Sequence, residues 1–410
     1  SSSPWRRGSP GTGGGLSPDT SRSFGPSFVP KAIRAGAFRP EARKLAGMPS
    51  PDDAPPWMDR LRRRLARQKA LGLGRVLSVR DTPPGRICRK DGREVLSFST
   101  NDYLGLSSDQ RLSEAASVAA RLYGFGAASA RLLAGHTPAH RSLEEALAGH
   151  LGTESAVVLS AGYLANVAAT SVLLTEGEPA WFDRANHSSL RDGVAAAEAE
   201  RIVYAHRDVK ALELLVRNAT PGRGAILTES VFSMDGDVSD LPALRRFADA
   251  AGIPLLVDEA HAIGVFGPDG RGCAAEAGLA RGVVLTATLS TARGAQGGVV
   301  AGPREVIESI VSRGRSFLFA TGLAPPVAAA ANETSAKLVF TPMKTMVEVP
   351  GADDPSLGEV CDSFDTQIFL RGVPNAEIRK VPASPKATEG LNIFVNLLDE
   401  WHEWTSPAAV

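Results

Sequence analysis

Most features that assign a chain quickly are scarce in these 410 residues. Cysteine is rare: Cys88, Cys273 and Cys361 are scattered, with neither metal-ligand spacing nor the even count of a disulfide framework. A reduced, cytoplasmic setting is the simplest expectation. Surplus charge is absent, since Lys+Arg and Asp+Glu are both 45. That balance argues against nucleic acid or an anionic membrane as the main partner. A membrane span is lacking too. Val157–Leu174 carries no charge, but Ser160, Gly162 and Asn166 interrupt it, so strand, turn and buried helix is the expected reading. Internal repeats and the apolar block of a secretory signal are also missing.

The first 47 residues are rich in Ser, Gly and Pro and hold eight basic residues against two acids. They read as a disordered leader, with Met48 as the natural start; a basic, acid-poor transit peptide is the other reading. An N-terminal helix and strand segment is expected over 48–100. Within it, Met58, Leu61, Leu65 and Leu71 recur at roughly helical spacing in the Arg-rich stretch Trp57–Leu71, and Glu94–Ser99 reads as a strand.

From Ala156 onward short β-rich runs alternate with amphipathic stretches. Ala156–Leu159, Ala180–Asp183, Ile202–Ala205, Ala225–Thr228, Pro254–Asp258 and Val283–Thr286 read as strands. Leu164–Leu174, Ser189–Ala199, Val209–Asn218 and Leu241–Ala251 read as helices. Such alternation implies an α/β domain, a mostly parallel sheet with helices on both faces and all strand exits on one edge. The large domain is expected over 101–330 and a small C-terminal α+β domain, divergent or shortened, over 331–410.

Two strand exits stand out. Leu255-Leu256-Val257 leads into Asp258-Glu259-Ala260-His261, an acid and an imidazole. Val283-Val284-Leu285 leads into Thr286–Gly298, small and glycine-rich, where the backbone can turn sharply or approach a ligand. In open α/β sheets, ligands bind just outside strand carboxyl ends, so an anionic cofactor held between these exits is expected. A third turn, Ser160–Asn166, lies between a strand and a helix; free N–H groups at a helix start bind phosphate.

These blocks are recognisable together. Thr288–Gly294 resembles the Thr-x-Ser-Lys-Ala-x-Gly motif of the α-oxoamine synthases, a family of pyridoxal-phosphate (PLP) enzymes with the fold-type-I transferase architecture. Asn101–Leu106 matches that family's Asn-Asp-Tyr-Leu-Gly-Leu, Asp183–Ser189 its Asp-x-x-Asn-His-x-Ser, and Glu229–Asp237 (Glu-Ser-Val-Phe-Ser-Met-Asp-Gly-Asp) is the most specific single block. The resemblance covers roughly residues 95–326. It implies a homodimer with sites at the subunit boundary, and a PLP-dependent acyl transfer from a CoA or carrier-protein thioester to an amino acid. Its nearest branch condenses L-alanine with a pimeloyl thioester in biotin biosynthesis; a glycine-using acyl-CoA branch is the neighbour.

The resemblance also implies roles. Gly162 and Tyr163 would hold the phosphate, with Thr288 adding a hydroxyl and Thr321 serving the partner subunit's phosphate. Asp258 would pair with the pyridine N–H, His187 would stack on the ring, and Ser233 and His261 would bond near the phenolic oxygen. Read alone, Asp258 is a strand-end cap, His187 a packed imidazole and Asp235-Gly236 a turn. The position of the Schiff-base lysine holds Thr291, and Arg293 stands where the family has an apolar residue. A hydroxyl cannot form an imine, so two readings stay open: an acyltransferase impaired at position 291, or a PLP-fold pseudoenzyme that binds the cofactor or a homologous subunit.

Overall fold

The computed structural model describes residues 55–85, 87–217, 219–336, 346–350 and 377–381. The leader expected over 1–47 and most of 331–410 lie outside these. The chain divides into two units, Ser1–Gly74 and Arg75–Val410. In the first, helix α1 (Pro56–Ala70) starts on a proline, whose fixed φ and missing N–H suit the first turn. None of its residues is buried.

The second unit opens with an antiparallel hairpin, β1 (Ile87–Lys90) and β2 (Arg93–Leu96). Asp91 and Gly92 turn it, with φ of 50° and 77°, the positive values a two-residue hairpin loop demands. The strand expected over 94–99 therefore ends at Leu96, where its partner strand runs out at Ile87. Helix α2 (Gln110–Tyr123) is capped by the Asp109 carboxylate, which accepts from the Arg111 N–H at 2.8 Å. Helix α3 (Pro138–Leu151) has a capping box of Thr137 and His140, and Leu143, Leu147 and Leu151 on its buried face.

The centre of the unit is a seven-stranded sheet. Its strands are β3 (Ser155–Leu159), β4 (Pro179–Asp183), β5 (Glu200–Tyr204), β6 (Ala225–Glu229), β7 (Leu255–Asp258), β8 (Val284–Thr288) and β9 (Gly298–Gly302), in the spatial order β3-β9-β8-β7-β6-β4-β5. Strands β8, β7, β6, β4 and β5 are parallel neighbours. The connecting helices are α4 (Gly162–Leu173), α5 (Ser188–Ala196), α6 (Val209–Val216) and α7 (Leu241–Ala251). Strand β9 is a correction to the sequence reading, which took Gly298 as the end of a glycine-rich turn. It runs antiparallel to both β8 and β3. Strand β3 therefore runs in the same sense as β8, and its exit at Leu159 joins the others on one edge.

Side chains alternate between the two faces of the sheet, and both faces are covered, as a parallel sheet requires. Trp181, Leu255 and Val257 enter one core with the α3 leucines. Ala180, Phe182 and Leu256 enter the other with Ala165, Ala168 and Val172 of α4. Helix α8 (Cys273–Glu276) lies between β7 and β8; after β9 come α9 (Arg304–Arg313), α10 (Arg315–Leu318) and α11 (Pro325–Ala336), and then β10 (Met346–Pro350) paired in parallel with β11 (Glu377–Val381). Among the described residues no helix is long and apolar enough to cross a membrane.

Candidate active site

The strand exits converge on a buried polar circuit. Asp258, the last residue of β7, is 5% exposed. Its Oδ2 accepts from Asn166 Nδ2 at 2.6 Å and its Oδ1 from the Ala260 N–H at 2.9 Å. Asn166 sits on the first turns of α4 and is itself buried. It also donates to Ser189 Oγ at 2.8 Å and accepts from Thr286 Oγ1 at 2.5 Å. A buried amide is costly unless satisfied, and here each end of it has a partner.

Ser189 carries the circuit to His187, the N-cap of α5. The Ser189 N–H points at His187 Nδ1 from 3.2 Å, and Ser189 Oγ lies 2.7 Å from the same nitrogen. Nδ1 is thus an acceptor, so the proton of the neutral ring sits on Nε2. His261 completes the group. Its Nδ1 shares a 2.8 Å hydrogen bond with the Tyr103 hydroxyl. Burial pulls its pKa below the ordinary imidazole range; Asp258 opposes that shift and His187 adds to it.

Two further carboxyls lie beneath. Glu229, at the exit of β6, is paired in register with Asp258 and accepts from the main-chain N–H groups of His187 and Ser233. Burial and the neighbouring Asp258 push its pKa well up. Glu259 accepts from Ser230 Oγ and from the N–H groups of Cys273 and Ala274, and burial still raises it to about 7.

The remaining expected residues fall around the next exits. Gly162 is the first residue of α4, and the Ala161 cap offers the helix's open N–H groups no side-chain bond. A Cβ on Gly162 would come 3.0 Å from Thr288 Cβ, so glycine keeps this approach clear. Thr288 Oγ1 donates to the Gly297 carbonyl at 3.0 Å. Thr291, 5% exposed, donates to the Ala260 carbonyl at 2.9 Å, which sets position 291 against the β7 exit. Gly294 takes φ 62°, and a Cβ there would collide with Ser107 N at 2.4 Å; the turn after Thr291 is packed on the Asn101–Leu106 block by a contact only glycine permits.

Tyr163 is 44% exposed, with its hydroxyl bonded to Asp192. Thr321 pairs its backbone with Ala130 in an isolated antiparallel bridge and is exposed. His136 is bonded to Arg131, and His206 lies between Asp183 and Asp237. Arg293 turns into the core, where it donates to the Thr334 carbonyl of α11 at 2.9 Å, and burial lowers its pKa to about 10. Sequence reasoning gave no role to Asn166, Ser189, Tyr103 or Glu229. The signal for Asn166 was there: one polar side chain in the apolar run Leu164-Ala165-Asn166-Val167-Ala168.

This donor set fits the ring and phosphate of a flat phosphorylated pyridine: a carboxylate at the end of a buried strand, two imidazoles beside it, and an uncapped helix start. It does not fit a covalent link at position 291. Among the described residues, no lysine stands on β7, β8, α4 or α5 or on the turns that follow them. Together with the sheet order, the set defines the class, a PLP-dependent transferase of fold type I.

Residues 93–348 match the aminotransferase class I and II family, and the chain belongs to that family, in its PLP-dependent α-oxoamine synthase branch. It is 42% identical over 281 residues to the 8-amino-7-oxononanoate synthase of Burkholderia thailandensis, covering 67% of this chain and 71% of that one. It is 48% identical over 245 residues to a Gloeobacter violaceus protein provisionally given the same name, covering 59% of this chain. The chain spans 63% of the length of that relative. Among solved structures, a lysine-to-alanine variant of serine palmitoyltransferase from S. paucimobilis with PLP-myriocin bound superposes with a TM-score of 0.64 at 29% identity, over 69% of this chain and 75% of that one. The 8-amino-7-oxononanoate synthase of Francisella tularensis superposes with a TM-score of 0.52 at 27% identity, over 60% and 70%.

Proposed function

We propose that this chain is an α-oxoamine synthase of the biotin branch that holds PLP without a covalent link, and that its condensation of L-alanine with a pimeloyl thioester is crippled by Thr291. The observation that carries the reading is the contrast around position 291. Asp258 and His187 are joined by hydrogen bonds through Asn166 and Ser189, and His261 is held by Tyr103, while the hydroxyl beside them is spent on the Ala260 carbonyl.

PLP, when bound, supplies an electron sink for the pair left on the amino acid's α-carbon. Asp258, oriented by Asn166 and Ala260, would hold the pyridine nitrogen protonated. The open N–H groups of α4 at Gly162 and Tyr163, with Thr288, would hold the phosphate. His187 would lie on the ring face, and the imidazole of His261, kept neutral by burial, would bond near the phenolic oxygen with Ser233. Thr291 cannot take up a proton near neutral pH, so the general base of the reaction is missing. Loss of such a base costs roughly 10²–10⁴-fold. The exposed Thr321 would serve the phosphate of a second copy, in a cytoplasmic homodimer.

The test compares the wild-type chain with Thr291→Lys. Both are given PLP, reduced with borohydride and assayed with alanine and pimeloyl-CoA, and with glycine and acetyl-CoA. Wild-type protein should bind PLP, lose it on denaturation after reduction, and turn over little. The lysine variant should retain it covalently and gain activity. Failure of the wild-type chain to bind PLP sinks the proposal. The second reading, a partner subunit, is favoured by the same Thr291. It predicts that wild-type chain raises the activity of a co-purified lysine-bearing homologue while remaining inert alone.

A further inference from the structure

The residue with the most unassigned work in the site is Glu229. It is the last residue of β6 and is 2% exposed. One carboxyl oxygen accepts from the His187 N–H at 2.5 Å and the other from the Ser233 N–H at 3.1 Å. Its own backbone is held on both sides as well. The Glu229 N–H donates to Asn186 Oδ1 at 3.2 Å, and Asn186 Nδ2 donates to the Leu227 carbonyl at 2.8 Å. The Glu229 carbonyl accepts from Ser239 Oγ at 2.7 Å. Two loops, 184–187 and 230–239, therefore end on one strand residue. They carry the two side chains, His187 and Ser233, assigned above to the ring face and the phenolic edge.

We propose that Glu229 is a positioning residue that fixes the main chain of His187 and Ser233 to the sheet, and so sets where the ring clamp and the Ser233 hydroxyl meet the cofactor. The inference rests on the PLP reading above for its ligand, but its geometry is a property of the protein alone. Reach is what matters. The Glu229 carboxyl has two oxygens, and it spans both N–H groups at once by accepting one on each. A glutamine keeps the length but turns an NH₂ toward one of two donors. An aspartate keeps the carboxyl and falls one methylene short.

Amide exchange in the cofactor-free full-length chain tests the contact without PLP. The His187 and Ser233 N–H groups should be protected in the wild type, and free exchange at both overturns the proposal even if no variant folds. PLP is then titrated into wild type, Glu229→Gln, Glu229→Asp, His187→Ala and the Glu229→Gln/His187→Ala double variant, with thermal midpoints as a fold control. Both Glu229 variants should bind PLP roughly 10- to 100-fold more weakly, the range for a buried N–H donor left unsatisfied, with a diminished induced dichroism of the bound ring. The double variant should be weaker than His187→Ala by much less than Glu229→Gln is weaker than wild type. Wild-type affinity and dichroism in Glu229→Asp, or fully multiplicative effects, would overturn the role. If the wild-type chain binds no PLP while both amides are protected, the cofactor reading fails and the Glu229 contact stands.

Discussion

The exits of β7 and β8 are neighbours in the sheet, with Asp258 in register with Thr286, yet they are built in opposite ways. At the β7 exit three polar side chains bond to other elements. Asp258 goes to α4, Glu259 to the start of α8, and His261 to Tyr103, 158 residues away. At the β8 exit, past the Thr286 hydroxyl that reaches Asn166, the bonds are short-range or end on backbone. Thr288 goes to Gly297, the Gly297 N–H to Ser290, and Thr291 to the Ala260 carbonyl. In the function proposed here, the first exit would recognise the ring and the second is where a covalent anchor would stand. On that proposal recognition and covalent chemistry are separable parts of one site, carried by adjacent strands.

The sharpest way to break that comparison is to restore the anchor. Thr291→Lys should raise condensation by roughly 10²–10⁴-fold, read as product formed per mole of chain, while PLP retention after borohydride becomes covalent. Next come the truncations. Asp258→Ala should weaken PLP binding by about 2–5 kcal/mol, since it strips one partner from a buried charged contact. Thr291→Ala should leave the PLP dissociation constant unchanged and cost about 1 kcal/mol of stability. Equal losses in these two titrations would mean that the exits do not divide the work as described.

A pH effect follows from Glu259. Its carboxyl is raised by burial from 4.5 to about 7, so between those values the folded state binds more protons than the unfolded one. The Glu259 contribution to stability should therefore fall as pH rises through that window, by up to about 3 kcal/mol, and level off above it. The difference in denaturant midpoint between wild type and Glu259→Gln, followed from pH 4.5 to 8, measures this. The smallest effect belongs to Arg293. It is 2% exposed and faces α11, and the circuit around Asp258 does not include it. Arg293→Met should leave PLP affinity unchanged and leave the thermal midpoint unchanged or slightly higher, since it removes a charge from an apolar site. A marked drop in thermal midpoint would show that α11 depends on the guanidinium.

The sequence by itself determined what repeats or punctuates locally. Alternation of β-rich and helical runs announced six of the sheet's seven strands. The motif blocks placed Asp258, His187, Gly162 and Thr291 on strand exits before any coordinates. Strand β9 escaped because Val299-Val300-Ala301 between glycines is too short for a periodicity to show, and only its two neighbours make it a strand. Tertiary structure alone decided the partners: that Asn166 joins Asp258 to Ser189, that Glu229 holds two loops, that Arg293 turns into the core. The reason is physical. Periodicity and capping are set by neighbours a few residues apart, whereas a buried polar atom is satisfied by whichever group the fold brings to it, such as one 120 residues away in this site's Asn166–Thr286 bond.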